Sequence, residues 1–564
     1  MDLEEIYRRL RSEFGSAVHS KVELFIALAK YDQDLENCEA EIHRLHSRII
    51  FLRNQHRRLE KTKEFLLFLG SPIRKLPNEI LRQIFDYACE SNELTSKTLR
   101  SMPALAISSV CSRWRGIVKS YPALWSRIRI DVGVSHNQLN SVLELYLNHT
   151  KKLPLLIDTS SSQTGVLVEP HSLASCAALV EHTHRWNRIS IDHRRTFDVM
   201  FTHNHSQFHA LETLSIPSLT LTSRQTRVNR FQSATKLRKL IIHSFQIGDL
   251  TEFKFPLEQL TILEVSRFPE EMGRIIERCS KLKELHFRDK HVSSDDYQSS
   301  APMVAPVLQT LSLSLSQTWA PHRNNSQDCV DVVFSSLTCP SLNSLLIEAS
   351  HEYCSSWPEK NLNAFISRSS FHLTVLSIKS IPLLDTKLLN LLRILPSIIH
   401  LTIDDSLPSS SNRDDASARS VFPSPITPHL LQQLNAFPTN HMAIPAVLIR
   451  RLETLDMTFS GFVAPGSRSM SKPCFSDRDF VDMVTSRWVP RAEGHCDFGS
   501  SGSASRSTSR PATANSLESN NPACGTTCLR SVVLRFKNRG VDEEVYEPLK
   551  HLEKAGMRIV VAGI

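Results

Sequence analysis

Two apolar segments set the organisation of this chain: LPNEILRQIFDYACE at residues 76–90 and, after a polar insert, LAISSVCSRWRGIVKSYPALWS at residues 105–126. Apolar residues recur in both at the three- and four-residue spacing of an α-helix, which predicts two amphipathic helices joined by a loop. Helices this short cannot bury both apolar faces against each other, so part of the surface needs a partner. The pattern therefore indicates a docking module rather than a reaction centre.

Proline and acidic residues fit the ends of these helices. Pro77 suits a first helical turn, which tolerates a missing N–H, and Glu79 places negative charge near the helix N-terminus. Pro103 and Pro122 mark the limits of the second helix, because proline is poorly tolerated in a helix interior.

The order of these residues resembles the F-box family. There, Leu-Pro-x-Glu-Ile-Leu-x-x-Ile-Phe precedes a variable loop, and Val-Cys-x-x-Trp-x-x-Ile and Pro-x-Leu-Trp follow it. The chain departs from this pattern at residues 91–102, which lengthen the loop. The alternative is an ordinary helical hairpin inside a larger core. The matching positions are Leu76, Pro77, Glu79, Ile80, Leu81, Ile84, Phe85, Val110, Cys111, Trp114, Ile117, Pro122, Leu124 and Trp125.

The resemblance implies that the module binds a Skp-type adaptor and, through it, a cullin-based ubiquitin ligase. Together with the segments around it, the module resembles the divergent F-box families of mushroom-forming fungi. The residues that the resemblance assigns to the adaptor contact are Leu76, Pro77, Ile80, Leu81, Ile84, Phe85, Val110, Cys111, Trp114 and Ile117.

A heptad pattern precedes the module. Residues 16–69 contain neither Pro nor Gly, and Gly70 and Pro72 then end the pattern. Six heptads predict a long helix that can form a coiled coil, so residues 24–66 are a candidate for self-association. The alternatives are a helix folded back on its own domain and a helix paired with residues 3–14. The a positions are Leu28, Leu35, Ile42, Ile49, His56 and Lys63, and the d positions are Tyr31, Cys38, Leu45, Leu52, Leu59 and Leu66.

A repeat of the form Leu-x-x-Leu-x-Φ, where Φ is apolar, dominates the chain after the module. Each copy ends in the alternation typical of a short strand, and helical patterns precede several copies, at residues 269–279, 361–369 and 385–394. Weaker copies cover residues 125–130, 186–191 and 529–534. The clear copies cover residues 211–216, 237–242, 260–265, 282–287, 308–313, 342–347, 373–378, 398–403 and 452–457.

One strand and one helix per unit predict a parallel-stranded solenoid. The pattern resembles a leucine-rich-repeat horseshoe, with one departure. That family places Asn or Cys three residues after the last apolar position, where it bonds the turn backbone. Other groups must hold the turns here, and an irregular curvature is expected. The residues at that position are Leu219, Phe245, Phe268, Lys290, Ser316, Ser350, Ile381, Ser406 and Ser460.

The expected fold class is therefore α/β, with an N-terminal coiled-coil-like helix, a helical F-box-like hairpin and an irregular repeat solenoid. Two Ser-rich segments contain too few apolar residues to offset the entropy of ordering them. The expected boundaries are 1–70 for the long helix, 71–127 for the hairpin, 128–404 for the solenoid, 405–446 for a Ser/Pro-rich insert and linker, 447–490 for the solenoid's continuation, 491–527 for a disordered Ser-rich loop and 528–564 for a C-terminal cap.

The polar strand positions of the repeats form a candidate target-binding face, because alternate side chains point away from the core. Their mixed charges favour a polypeptide partner over a polyanion. The alternative is an ordinary solvated sheet face. These positions are Lys239, His243, Glu264, Glu284, His286, Arg288, Glu348, Lys379 and His400.

Composition narrows the class of partner. The net charge of +8 comes without a Lys/Arg block, so no nucleic-acid partner is expected. No apolar run approaches the roughly 20 residues of a membrane span. The segment MDLEEIYRRL does not resemble a secretory signal, and the twelve cysteines are scattered. These features favour reduced thiols and a cytoplasmic or nuclear protein.

The sequence patterns predict neither a metal site nor a catalytic site. His203, His205 and His209 lack a second ligand group, and Cys524 and Cys528 lack the spacing of a zinc ribbon. No Walker, GxGxxG, GxSxG or HExxH motif occurs, and residues 404–405 are expected to be solvated turn residues. We expect no cofactor and no catalysis.

These observations predict a substrate receptor. The hairpin would bind the adaptor, the solenoid would bind an unidentified protein target, and partner proteins would transfer ubiquitin. The alternative from another class is a non-catalytic coiled-coil and repeat scaffold or sensor without a ligase. A hydrolase hidden within the repeats is a third hypothesis.

Overall fold

The chain forms two compact units, Met1–Phe85 and Asp86–Ile564, whose boundary falls inside a helix. The computed structural model describes residues 3–11, 21–133, 139–161, 170–201, 207–217, 231–243, 254–266, 272–288, 302–315, 329–349, 357–406, 424–436, 447–460, 475–488, 527–537 and 539–563.

A helix of 49 residues dominates the first unit. It is α2 (Lys21–Leu69), preceded by α1 (Leu3–Leu10), and its length is about 74 Å at 1.5 Å per residue. It ends at Gly70, whose N–H donates to the carbonyl of Leu66 at 3.2 Å. A 3₁₀ turn, Pro72–Lys75, follows. The predicted long helix is confirmed, and the coiled coil stays a prediction.

The apolar seam of α2 is open to solvent. Leu28, Leu35 and Ile42 have exposed fractions of 61%, 62% and 52%. Ile49 and Leu59 are likewise exposed. The coiled coil, the helix folded back on its own domain and the pairing with residues 3–14 all stay hypotheses.

Among the described residues, the second unit contains one continuous sheet of fifteen strands, all parallel. Residues 303–304 (β9) and 337–338 (β11) form a separate two-stranded parallel sheet. The strands of the large sheet are β1 (Asn92–Glu93), β2 (Arg127–Asp131), β3 (Leu155–Ser160), β4 (Trp186–Ile191), β5 (Thr213–Ile216), β6 (Lys239–Ile242), β7 (Ile262–Val265), β8 (Glu284–Arg288), β10 (Thr310–Leu315), β12 (Ser344–Ala349), β13 (Val375–Lys379), β14 (His400–Asp404), β15 (Thr454–Phe459), β16 (Ser531–Phe536) and β17 (Arg558–Gly563).

Short helices and 3₁₀ turns connect the strands. The 3₁₀ turns are Leu99–Ser101, Pro122–Trp125, Val180–Arg185 and Leu257–Gln259. The remaining helices are α3 (Asn78–Ala88), which crosses from the first unit into the second, α4 (Pro103–Val110), α5 (Ser112–Ser120), α6 (Leu139–Thr150), α7 (Pro170–Leu179), α8 (Arg194–Phe201), α9 (Met272–Arg278), α10 (Cys329–Ser336), α11 (Glu359–Ser369), α12 (Asp385–Ile394), α13 (Pro428–Leu434), α14 (Asp477–Ser486), α15 (Glu543–Tyr546) and α16 (Leu549–Lys554).

Each strand of the large sheet pairs with the next one in chain order, as the repeat predicted. The second leucine of one copy stands opposite the second leucine of the next, so Leu240 pairs with Leu263 and Leu263 with Leu285. The row continues through β14 and β15, where Leu401 pairs with Leu455. These leucines are almost fully buried. The parallel sheet and its mixed α/β class are confirmed.

Aromatic rings extend the leucine core between β4 and β7. The ring of Phe208 lies 5.8 Å from that of Trp186 and 5.5 Å from that of Phe231. Phe231 in turn stacks on Phe255 at 4.4 Å. Trp186 begins β4, and the three phenylalanines come from the segments before β5, β6 and β7. Contact between consecutive repeats therefore runs through side chains as well as through backbone pairing.

Some elements differ from the sequence expectations. β3 was not predicted, because Leu153 and Leu156 are followed by Asp158 at the position where the repeat requires an apolar residue. The segment 405–446, expected as an insert and linker, contains α13, whose Leu430, Leu431 and Leu434 are buried. The expected cap contributes two strands, β16 and β17, to the sheet. Residues 491–526 lie outside the described part of the chain.

Carboxylates hold the turn that follows β14. A side-chain oxygen of Asp405 accepts the N–H of Ser460 at 2.6 Å, and the hydroxyl of Ser424 donates to the other oxygen at 2.5 Å. Burial raises the pKa of Asp405. The expectation that residues 404–405 are solvated is thus wrong for Asp405, because its carboxylate is buried and accepts hydrogen bonds from Ser460 and Ser424.

Replacing Asp405 with Asn should stabilise the protein at neutral pH. Since the folded pKa is raised, this carboxyl contributes stability below its ordinary pKa near 3.8 and loses it as pH rises through the folded value. We expect the melting temperature of Asp405→Asn to exceed that of the wild type by about 2 °C at pH 7.5 and to match it at acid pH. The exposed Asp482→Asn is the control. Equal melting temperatures at both pH values would contradict the assignment.

A buried guanidinium joins three distant segments near the C-terminal end of the sheet. Arg487 is fully buried and donates to the carbonyls of Leu434, Leu448 and Ile449. Its own carbonyl accepts the N–H of Leu529 at 3.1 Å. Burial lowers the pKa of Arg487 to about 10. The side chain stays charged at neutral pH, and these three backbone carbonyl dipoles stabilise that charge.

Candidate functional site

Helix α3 presents one apolar face to solvent and buries another. Leu81 and Phe85 are buried, whereas Ile80 and Ile84, one turn apart, have exposed fractions of 40% and 41%. Tyr87 continues the outer face and is 87% exposed. A single helix therefore supplies both core and free apolar surface, as residues three and four apart share a helix face.

The predicted second helix is two helices, α4 and α5. They separate at Cys111, whose backbone is extended (φ −160°, ψ 169°). The hydroxyls of Ser108 and Ser109 donate to the carbonyls three residues before them, which competes with regular helical bonding. The helix therefore breaks at Cys111. Val110 is 48% exposed, and Trp114 is half-buried.

The polar insert between the helices is part of the sheet. It forms β1, which pairs in parallel with β2, and the N–H of Leu94 donates to the carbonyl of Arg129 at 2.9 Å. The hydroxyl of Thr95 accepts the N–H of Asp131 at 2.9 Å. The insert was expected as a loop, and polar residues gave no strand signal. The lengthened insert contains β1, the first strand of the sheet.

Asn92, in β1, is the hydrogen-bonding centre of this region. Its side-chain amide donates to the carbonyls of Leu124 and Arg127 at 2.9 and 3.0 Å. Its side-chain oxygen accepts the N–H of Ala104 at 3.0 Å and the hydroxyl of Tyr146 at 3.2 Å. Asn92 thus caps the first turn of α4 and fixes it to the sheet. Sequence analysis missed this residue.

Replacing Asn92 with Ala should lower the free energy of unfolding by about 3 kcal/mol, because several buried polar groups would lose their partner. The matched control is Asn187→Ala, which removes one side-chain bond, to the carbonyl of Ala210 at 3.3 Å. The control should cost about 1 kcal/mol. Denaturant unfolding measures both, and equal losses would contradict the central role of Asn92.

Arg127 and Trp125 attach the helices to the sheet. Arg127 donates to the carbonyls of Asp86 and Cys89, both at 3.0 Å, which satisfies groups at the end of α3. The indole N–H of Trp125 donates to the carbonyl of Val118 at 3.0 Å, and its ring meets that of Tyr146 at 4.9 Å. From Asp86 onward, the helices and the first strands form one compact unit.

Residues 73–131 match the family model described as F-box-like. The chain contains an F-box-like domain. The match ends at Asp131, the last residue of β2, so the F-box-like domain includes β1 and β2 as well as the helices. A search of curated proteins gave no match.

The structure divides the ten predicted adaptor-contact residues of the F-box-like domain into two groups. Leu81, Phe85 and Ile117 are buried and unavailable to a partner in this conformation. The others are exposed or half-buried and stay predicted contacts: Leu76, Pro77, Ile80, Ile84, Val110, Cys111 and Trp114.

The nine predicted target-binding residues lie along the face of the sheet opposite the leucine core. In β8, Glu284, His286 and Arg288 alternate with buried Leu285 and Phe287. The neighbouring strands are in register with β8, which keeps this face continuous. The strand alternation and register place these residues on one face, and the role of that face in binding stays a prediction.

Several polar side chains on this face have partners within the chain. Glu264 is buried and binds Arg288 at 2.8 Å, and Glu284 binds His286 at 3.1 Å. Glu348 and Lys379 are register partners on β12 and β13, and His243 contacts the hydroxyl of Ser266 at 3.0 Å. Lys239 is half-buried and His400 exposed.

Hydroxyl groups dominate the same face between β10 and β16, and sequence analysis did not single them out. The signal was present in the strand TLSLSL of β10, whose alternate positions are Thr or Ser. The face thus offers many neutral donors and acceptors beside its ion pairs. The hydroxyl residues are Thr310, Ser312, Ser314, Ser344, Ser377, Thr402, Thr454, Thr458 and Ser531.

Four cysteine thiols of the described residues have raised pKa values. Burial raises the pKa of the thiols of Cys89, Cys176, Cys279 and Cys339 to about 12, so these thiols are protonated at neutral pH. No group of three metal-ligating side chains occurs among the described residues. His203, His205 and Cys524 lie outside them. Within that same part of the chain, no helix is long and apolar enough to span a membrane.

Proposed function

We propose that this protein is the substrate-recognition subunit of a Skp–cullin–F-box ubiquitin ligase. The observation that carries the proposal is the match of residues 73–131 to the F-box-like family model. F-box domains bind a Skp-type adaptor. The exposed Ile80 and Ile84 of α3 support this role, since an apolar helix ridge open to solvent suits a partner groove.

The parallel sheet is proposed to be a leucine-rich-repeat-like solenoid that binds a protein target. The leucine registry and the chain-order pairing support this, because each repeat then contacts only its neighbours. The open face carries internal side-chain pairs and many hydroxyl groups. These features favour a polypeptide that binds through hydrogen bonds rather than a highly charged ligand.

The proposed mechanism is proximity without bond chemistry in this chain. A target held on the sheet gains a high effective concentration near the ubiquitin-loaded partner. Asn92, Trp125 and Arg127 fix the helices from Asp86 onward to the first strands. A target bound on the sheet would therefore move little relative to these helices. Such a subunit acts where its ligase acts, so we place it in the cytoplasm, the nucleus or both.

Co-expression with a Skp-type adaptor tests the proposal. The full chain should co-purify with the adaptor in a 1:1 complex. The rival function, a scaffold without a ligase, predicts that the full chain purifies alone while its fold and melting temperature are intact. That result would end the receptor hypothesis.

A further inference from the structure

The exposed seam of α2 is large enough to form a stable interface. In an antiparallel pair whose facing residue numbers sum to 87, residues 21–66 of the two helices overlap. This overlap gives a strip about 69 Å long and about 10 Å wide on each helix. Two such strips bury on the order of 1,400 Å², the size of a standard specific interface. Leu28, Leu35, Ile42 and Leu59 are each more than half exposed in the single chain. A second copy of α2 presents the matching surface.

A parallel, in-register pair of these helices places like charges together. In that arrangement each g position faces the e position five residues later on the partner. Asp34 would face the partner's Glu39, and Arg48 would face the partner's Arg53. His56 and Lys63, at a positions, would each meet their own copy in the seam. The parallel arrangement is therefore disfavoured by four separate contacts.

Reversing one helix removes every one of these conflicts. Residues whose numbers sum to 87 then lie opposite each other, so that a positions meet d positions of the partner. Leu28 faces the partner's Leu59, Leu35 the partner's Leu52, and Ile42 the partner's Leu45. His56 meets the partner's Tyr31 in place of another imidazole.

The flanking charges are complementary in this register. In an antiparallel pair, e positions flank e positions and g positions flank g positions. Asp32 then lies beside the partner's Arg53, and Glu39 beside the partner's His46. On the other edge, Glu41 lies beside the partner's Arg48. Each contact occurs twice by symmetry. Shifting the register by one heptad in either direction places Glu39 or Arg48 beside its own copy.

We propose that α2 forms an antiparallel homodimer centred between His43 and Arg44. The two Leu69 residues, where α2 ends before each F-box-like domain, then stand about 76 Å apart. The dimer would therefore present two separate adaptor-binding sites. This inference does not depend on ligase association, because it rests on the seam and charges of α2 alone.

Charge reversal at Arg53 distinguishes the two orientations. Arg53→Asp places like charges beside the partner's Asp32 in the antiparallel dimer, so the dimer Kd of the full chain should rise about tenfold. Asp32→Arg with Arg53→Asp should restore it. In the parallel arrangement Arg53→Asp relieves repulsion and tightens the dimer. Analytical ultracentrifugation measures the Kd. A tighter dimer or a monomeric wild type at micromolar concentration would overturn the proposal.

Cross-linking through Cys38 tests the register. Cys38 lies opposite the partner's Ile49, and the two Cys38 residues are about 16 Å apart along the axis, beyond the reach of a disulfide. Under mild oxidation Ile49→Cys should form a 38–49 interchain disulfide, identified by mass spectrometry of the linked peptides. The control, Ile49→Cys with Cys38→Ser, should form no interchain disulfide within α2. A 38–38 or 49–49 disulfide would contradict the proposal.

Discussion

Arg487→Met is expected to destabilise the region around β15 and β16 by about 4 kcal/mol. The guanidinium is fully buried and satisfies three backbone carbonyls, at Leu434, Leu448 and Ile449. Methionine fills similar volume but leaves all three without a donor. The carbonyl of Arg487 also accepts the N–H of Leu529, which lies two residues before β16. The loss of stability should therefore extend to β16.

Native-state hydrogen exchange provides the measurement. A loss of about 4 kcal/mol should accelerate exchange of the protected amides of β15 and β16 about a thousandfold, while the amides of β6 and β7 should change little. Arg478→Met is the matched control, because Arg478 is exposed and lies on α14, the helix that ends immediately before Arg487. Equal acceleration in both variants would show that the buried guanidinium does not hold this region together.

Ile80→Asp combined with Ile84→Asp is expected to weaken adaptor binding about a thousandfold. Burying each isoleucine in an interface contributes roughly 2 kcal/mol, and a carboxylate in an apolar contact adds a desolvation cost. Both side chains are exposed in the free chain, at 40% and 41%, so the fold should tolerate the change. The loss therefore reports on the contact rather than on the core.

A matched control and a core variant make this result interpretable. Ile394→Asp applies the same change to an isoleucine that is 45% exposed on α12, and it should leave adaptor binding unchanged. Phe85→Asp, in contrast, should lower the melting temperature, because Phe85 is buried. Adaptor binding measured by surface plasmon resonance, beside thermal unfolding of each variant, separates the two effects. Unchanged binding by the Ile80 and Ile84 variant would remove α3 from the contact.

Periodicity made much of the fold predictable. The leucine at the second strand position of each copy is buried in every clear repeat, and the spacing that marked Leu263 and Leu285 also set their pairing. The end of α2 was equally predictable, because Gly70 and Pro72 stop a helix. Repeat spacing and helix ends depend on residues that are close in sequence, so the local sequence is enough to predict them.

The features that sequence analysis missed depend on partners far along the chain. Asn92 bonds groups 12 to 54 residues away, and Arg487 bonds carbonyls 38 to 53 residues away. A buried Asn or Arg has no pattern of its own, since either residue is usually exposed. The helical pattern likewise marked Ile80, Leu81, Ile84 and Phe85 together. Only the fold shows which of them pack inward.

The F-box-like domain is proposed to bind a Skp-type adaptor directly. Isothermal titration of the purified full chain with a purified Skp-type adaptor tests it without other ligase subunits. We expect one adaptor per chain, a Kd below about 1 µM and a negative heat-capacity change from apolar burial. Absence of binding at adaptor concentrations up to about 100 µM, by a chain with an intact melting transition, would contradict the account.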